Sequence, residues 1–304
     1  MKNTLEKINE AAITDPEHLV NDAENRYLKE IKLTARRIAD NDDIKIVSIA
    51  GPSASGKTTS AHILRRELEL LGEKTEVVSL DDFYLPVDML PVLPDGSRDI
   101  ESVNALDLIL LNKCFLEIAN SGVTVLPRFD FMEKRRIEKA REIDVSGKGI
   151  AIAEGLHALN PIITDAASEN TVFKIYISVN DGITRDGGAP LLSSRQIRLA
   201  RRILRDRVFR STTLNETLVL WDGVVKGEEK YLYRFKNLAD VRLKTLHCYE
   251  PCIYKREITK LAGEVDREIP CCSYFLKTVE ALSRFEDMDS ALVPQNSLIR
   301  EFIG

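Results

Sequence analysis

Apolar residues recur along the first forty positions at the spacing of one helical face: Leu19, Val20, Ala23, Tyr27, Ile31, Ala35 and Ile38. Asp15-Pro16 ahead of this stripe supplies an N-cap and a first-position proline, and the polar run 40–43 closes it. From residue 44 the pattern changes. Residues 44–50 (IKIVSIA) are short, β-branched and mostly apolar, which predicts a buried strand. Residues 51–55 read as a loop and 56–71 as a helix stopped by Gly72. A second strand is expected at 76–80, and another helix at 104–120, closed by Ser121-Gly122. Three further strands are expected at 123–126, 150–153 and 173–179. A loop over 181–190 then leads into an arginine-rich helix. Past residue 240 the pattern is weaker, with a helical stripe of Phe275, Val279, Leu282 and Phe285 and an apolar ending at 298–303.

Strands alternating with helices predict an α/β fold in three layers, its mostly parallel sheet covered on both faces. The expected organisation is an N-terminal helical segment (1–43), a core (44–245) and a C-terminal extension (246–304) packing on it.

Charge and composition narrow the classes. The 304 residues carry 43 Lys plus Arg and 48 Asp plus Glu, a formal net charge of −5. An acidic chain is a poor general nucleic-acid binder, so no nucleic-acid partner is expected. No apolar run approaches the length of a membrane span, and the N-terminus lacks the apolar core of a secretory signal, so no membrane partner is expected. The five cysteines and four histidines match no zinc spacing, which predicts free thiols and a cytoplasmic protein.

The strongest chemical signal is Gly51-Pro52-Ser53-Ala54-Ser55-Gly56-Lys57-Thr58, the G-x-x-x-x-G-K-[ST] phosphate loop, between a strand and a helix. Its glycines let the backbone wrap a phosphate and aim N–H groups at it, and the new helix adds unpaired donors. ATP and Mg²⁺ are the cofactors this implies. Gly51, Ser53, Ala54, Ser55, Gly56, Lys57, Thr58 and Thr59 form the candidate ATP site, with Lys57 on the β- and γ-phosphates and the Thr58 hydroxyl on the metal.

Two more signals lie downstream. The strand at 76–80 runs into Asp81-Asp82-Phe83-Tyr84, at the sheet edge where such folds bind ligands. A carboxylate there can accept a proton from an acceptor hydroxyl or hold the metal's waters; a solvated acidic turn is the plainer alternative. Residues 195–210 hold seven arginines and one aspartate, a local charge of +6. Arg198, Arg202 and Arg205 share one helical face, suited to the charge that builds up in phosphoryl transfer. The alternatives are a solvated charged face or an RNA-binding one. Gly182, Gly187 and Gly188 ahead of this helix mark a candidate hinge, with a lid near 181–212.

The phosphate loop, Ser79-Leu80-Asp81-Asp82-Phe83-Tyr84, Pro127-Arg128-Phe129-Asp130-Phe131, Ala153-Glu154-Gly155 and Arg201-Arg202-Ile203-Leu204-Arg205-Asp206 follow one another as they do in uridine kinases. Over roughly residues 44–258 the chain resembles the uridine kinase/phosphoribulokinase family of P-loop kinases. The ending 294–304 (PQNSLIREFIG) and residues 221–233 resemble a bacterial subgroup of longer uridine-kinase-like proteins. The resemblance implies an α/β/α P-loop kinase that moves the γ-phosphoryl group of ATP to the 5′-hydroxyl of a nucleoside. It makes Asp81 the base, Lys57, Arg202, Arg205 and Arg210 the catalytic cations, and Thr58 and Glu154 (through water) the metal residues. Tyr84, Glu101, Phe129, Phe131 and Lys134 join Asp81 and Arg202 on the acceptor side. Phe129 and Phe131 equally suit a core. Two positions depart from the family. Phe209-Arg210-Ser211-Thr212 stands where the family has Glu-Arg-Gly-Arg, and Lys134 stands where uridine kinases have a base-contacting histidine. Lysine offers three donors and no acceptor, so a Lys134 that reaches the base favours carbonyl-presenting bases. Other outcomes are a regulatory P-loop ATPase module, or a kinase for another small alcohol such as a sugar phosphate or pantothenate. A homo-oligomer is left open.

Overall fold

The computed structural model describes residues 3–94, 96–130, 133, 135–164 and 167–304. In chain order its elements are α1 (Leu5–Thr14), α2 (Pro16–Ala39), β1 (Ile46–Ala50), α3 (Lys57–Leu70), β2 (Lys74–Ser79), α4 (Leu108–Ser121), β3 (Val123–Asp130), β4 (Arg135–Asp144), β5 (Gly149–Glu154) and α5 (Pro161–Thr164). Then come β6 (Val172–Ser178), β7 (Ile183–Thr184), β8 (Pro190–Leu192), α6 (Ser194–Phe209), α7 (Leu214–Tyr231), β9 (Val241–Lys244), α8 (Glu250–Lys260), α9 (Cys272–Leu282) and α10 (Arg300–Ile303).

Among the described residues, five strands make a sheet in the order β2-β5-β1-β6-β9. Every pairing within it is parallel. The alternation of side chains across a strand divides the core in two. Val47, Ile49, Ile152, Ile175 and Ile177 face one apolar cluster, shared with α2, α3, α6 and the C-terminal helices. Ile46, Ala50, Ala151, Ala153 and Tyr176 face the other, with α4 and with Ala158, Leu159, Ile163 and Ala167. Three layers result, as the alternation of elements predicts.

Local chemistry explains the boundaries. Asp15 accepts a hydrogen bond from the His18 N–H at 3.0 Å, so the N-terminal helical segment breaks into α1 and α2 at Asp15-Pro16. The helix expected from 104 begins at Leu108, because Asp107 caps it by accepting from the Leu110 N–H at 3.0 Å. The strand expected at 123–126 leaves the parallel sheet and pairs antiparallel with β4. Sequence pattern gives no sign of β4. It is charged along its length and mostly exposed, so it lacks the apolar face that marks a half-buried strand. The 181–190 loop is a small hairpin, with β7 antiparallel to β8 and Gly187 and Gly188 at positive φ in its turn. No helix among the described residues is long and apolar enough to cross a membrane.

Candidate active site

The carboxyl ends of β1, β2 and β5 bring the phosphate loop, Asp81 and Glu154 to one edge of the sheet. The loop bends tightly. A Cβ on Gly51 would lie 2.2 Å from the Ile177 carbonyl oxygen, and Gly56 sits at φ +87° with Leu298 against it. Ala54 also takes a positive φ of 57°. Curvature of this kind is what lets a loop aim backbone N–H groups at a phosphate. Ser55 Oγ is buried there and has no hydrogen-bond partner among the described residues. It is a polar atom left for a ligand.

Thr58 Oγ1 donates to Glu154 Oε1 at 3.3 Å, and Ser79 Oγ donates to the same oxygen at 3.2 Å. Burial drives the Glu154 carboxyl up to about 7, against the pull of Lys57. A hydroxyl facing a carboxylate is an oxygen set suited to a hard divalent cation, so these residues fit Mg²⁺.

Asp81 is exposed along the cleft. The protein packed around that cleft raises its carboxyl pKa, while Lys57, Arg210 and Arg205 oppose the rise. Asp82, its neighbour, is engaged differently: it accepts from the Phe129 N–H at 3.2 Å and so ties β3 to the end of β2. Tyr84 donates to the Ile100 carbonyl at 3.2 Å, and its ring meets Phe129 edge-on at 5.8 Å between centroids. Glu101 follows on the same wall, its stem packed on Gly227 of α7, where a Cβ would come within 2.7 Å. His157 Nε2 lies 3.0 Å from the Glu101 carbonyl oxygen and fixes its backbone. Burial lifts the Glu101 carboxyl to about 7, with Arg202 pulling it down and Glu228 and Asp81 pushing it further up.

Helix α6 is clamped to the phosphate loop by arginines. Arg198 Nε donates to the Ser53 carbonyl at 2.9 Å, Arg201 Nη1 to the Ala54 carbonyl at 3.3 Å, and Arg202 Nη1 to Ser53 Oγ at 2.9 Å. Arg198 also pairs with Glu228, whose carboxylate accepts the Ser53 N–H at 2.7 Å. Arg201 is fully buried and forms a bidentate pair with Glu250 at 2.6 and 2.9 Å. Burial alone lowers its pKa, but Glu250 more than offsets this and keeps it charged. Asp206 gathers Arg202, Arg205 and Arg210 at 3.2, 2.8 and 3.4 Å. The side chains of Arg205 and Arg210 thus share one acidic anchor close to Asp81.

Lys57, Thr58, Asp81, Tyr84, Glu101, Phe129, Glu154, Arg202, Arg205 and Arg210 therefore converge on one cleft. Phe131 and Lys134 lie outside the described residues. Residues that sequence reasoning left unassigned also enter the site: Arg201 and Glu228 support the loop, and Leu298 and Glu301 touch it from the C-terminal segment. For Glu228 the available signal was a lone carboxylate on the apolar stripe of α7. For the C-terminal segment it was the resemblance of residues 294–304 to longer relatives.

Two expected results follow from these contacts. Arg201→Met leaves Glu250 buried without its partner, which costs about 3–5 kcal/mol for a broken buried pair. The urea midpoint is expected to fall accordingly, and an unchanged midpoint contradicts the clamp. The second concerns pH. Glu101 has its folded-state pKa raised above the ordinary carboxylate value, so its contribution to stability is full below about 4.5 and is lost as pH rises through about 7. In the ligand-free protein, Glu101→Gln should therefore gain in melting temperature relative to wild type between pH 4.5 and 7.5. A difference that stays flat across that range shows that Glu101 titrates as an ordinary surface group.

A phosphate loop opening a helix, a magnesium-suited pair behind it, carboxylates at the sheet edge and an arginine-rich helix across the cleft define a P-loop phosphotransferase. Comparison with known proteins agrees. The profile of the phosphoribulokinase/uridine kinase family matches residues 46–250, and the chain belongs to that family. Its members are phosphotransferases with an alcohol acceptor. Among relatives, the uridine kinase of Mycoplasma genitalium is 26% identical over 238 residues, covering 77% of this chain and 96% of that protein. The uridine kinase of Clostridium novyi is 26% identical over 198 residues, covering 64% and 85%. The uridine kinase of Saccharomyces cerevisiae is 28% identical over 188 residues, and the match spans only 32% of its length.

Proposed function

We propose that this kinase transfers the γ-phosphoryl group of ATP to the 5′-hydroxyl of a nucleoside. The observation that carries the reading is the placement of Asp81. Its carboxylate stands at the end of β2 between the phosphate-loop Lys57 and the wall of Tyr84 and Glu101. From there Asp81 takes the proton of the acceptor hydroxyl, and its raised pKa makes it a stronger base than a solvated aspartate. Glu101 offers acceptor oxygens for ribose hydroxyls, with Arg202 beside it opposing the rise that burial drives. Lys57, Arg205 and Arg210 bring positive charge to the oxygens of the group in transfer. Thr58 would hold Mg²⁺ directly and Glu154 through its bound water, and the ion would neutralise phosphate charge.

The test is a screen of nucleosides, sugar phosphates and pantothenate as acceptors with ATP and Mg²⁺, read by ADP release. Stimulation by nucleosides supports the reading. Stimulation only by another alcohol moves the acceptor, and slow ADP release indifferent to every acceptor returns a regulatory ATPase.

A further inference from the structure

The segment 294–304 lies beyond the residues matched by the family profile, yet it is built into the phosphate loop's surroundings. Leu298 is fully buried with its side chain over Gly56. Thr59 Oγ1 donates to Glu301 Oε2 at 2.6 Å. The segment is also held from behind. Ser297 Oγ donates to Glu24 Oε1 of α2 at 2.6 Å, and Phe302 lies 4.9 Å from the Arg201 guanidinium. Arg300 donates to the carbonyls of Ser290, Val293 and Gly304 at 3.1, 2.5 and 2.8 Å. These tethers make it a fixed wall rather than a free tail.

Between this wall and the outer face of α3 runs a groove of about 310 Å³, at the lower end of the range for small-molecule sites. Its position is informative. Asp81 and Glu154 mark the end of the loop where the terminal phosphoryl reacts, and Thr58 faces that end. Thr59, the next residue of α3, donates to Glu301 instead. Thr59 sits at the start of α3 beside the phosphate loop and also lines the groove, so the two are continuous.

The groove's chemistry suits a nucleoside. Gln295 and Asn296 are exposed, and their side chains make no hydrogen bond with the described residues. Each amide presents a donor beside an acceptor, the pattern that pairs with N6 and N7 of adenine. His62 lies across the groove with an exposed ring on which a base can stack. Glu301, also in the lining, offers carboxylate oxygen to a ribose hydroxyl.

We infer that the groove between α3 and residues 295–301 takes the ribose and purine base of the donor nucleoside triphosphate, with Gln295 and Asn296 reading the base edge. The inference rests on the phosphate-loop reading above, and binding measurements separate the two without any acceptor. Dissociation constants for ATP and for inorganic tripolyphosphate are measured by calorimetry on wild type, Gln295→Ala/Asn296→Ala and His62→Ala. The wild type is expected to bind ATP more tightly than tripolyphosphate. The double variant should lose about tenfold in ATP affinity, the effect of two neutral hydrogen bonds, and His62→Ala should weaken ATP too. Tripolyphosphate binding should be the same in all three. ATP affinity unchanged in both variants, with tripolyphosphate still bound, overturns the groove and leaves the phosphate loop standing. Failure of the wild type to bind either ligand overturns the phosphate-loop reading itself.

Discussion

Replacing Lys57 with alanine is expected to lower kcat about a hundred- to a thousandfold, the usual effect of losing a preorganised cation or donor at the transition state. The fold should survive. Among the described residues the Lys57 ammonium makes one long hydrogen bond, 3.4 Å to the Pro52 carbonyl, so little stability depends on it. A second consequence distinguishes this from general damage. Lys57 pulls down the pKa of both Asp81 and Glu154. Without it both carboxyls titrate higher, so the residual activity should decline from a higher pH as the solution is acidified. Single-turnover rates across pH, with a thermal melt as control, check both parts. Near wild-type turnover would sink the assignment of the phosphate loop.

Asp81→Asn is expected to lower kcat by about 10²–10⁴ with a much smaller change in acceptor KM, because the amide keeps the shape but cannot take the proton. Asp82→Asn should be milder. Its carboxylate accepts from the Phe129 backbone at 3.2 Å, and an amide oxygen accepts that bond as well. The acid side of the wild-type pH–rate profile should fall at a higher pH than an ordinary aspartate gives, since Asp81's folded-state pKa is raised. That limb should disappear in Asp81→Asn. If Asp82→Asn were the more damaging, the roles of the two carboxylates would be reversed.

Much of this site was legible because its chemistry is local in sequence. The phosphate loop is one contiguous string, and Asp81 and Glu154 each close an apolar strand. In a parallel sheet, strand ends of that kind meet at one edge. What the sequence hid depends on long-range packing. Glu228 reaches Ser53 across 175 residues and Glu301 reaches Thr59 across 242, and no periodicity connects such pairs. The arginine helix was legible as charge but not as partition. Arg201 carries the same charge as Arg205, yet only packing shows that it is fully buried against Glu250. Strand β4 was invisible because its residues are mostly charged and exposed, which leaves no apolar alternation to read. The Asp107 cap likewise moved a helix start that apolar content had placed too early.

The claim that this is a nucleoside kinase is tested most directly by following the label from γ-labelled ATP with uridine, cytidine, inosine, guanosine, adenosine or a non-nucleoside alcohol present. The expected result is label on the 5′-oxygen of at least one nucleoside, with ADP formed in step with the labelled monophosphate. Label that goes only to inorganic phosphate, at a rate no acceptor changes, contradicts it.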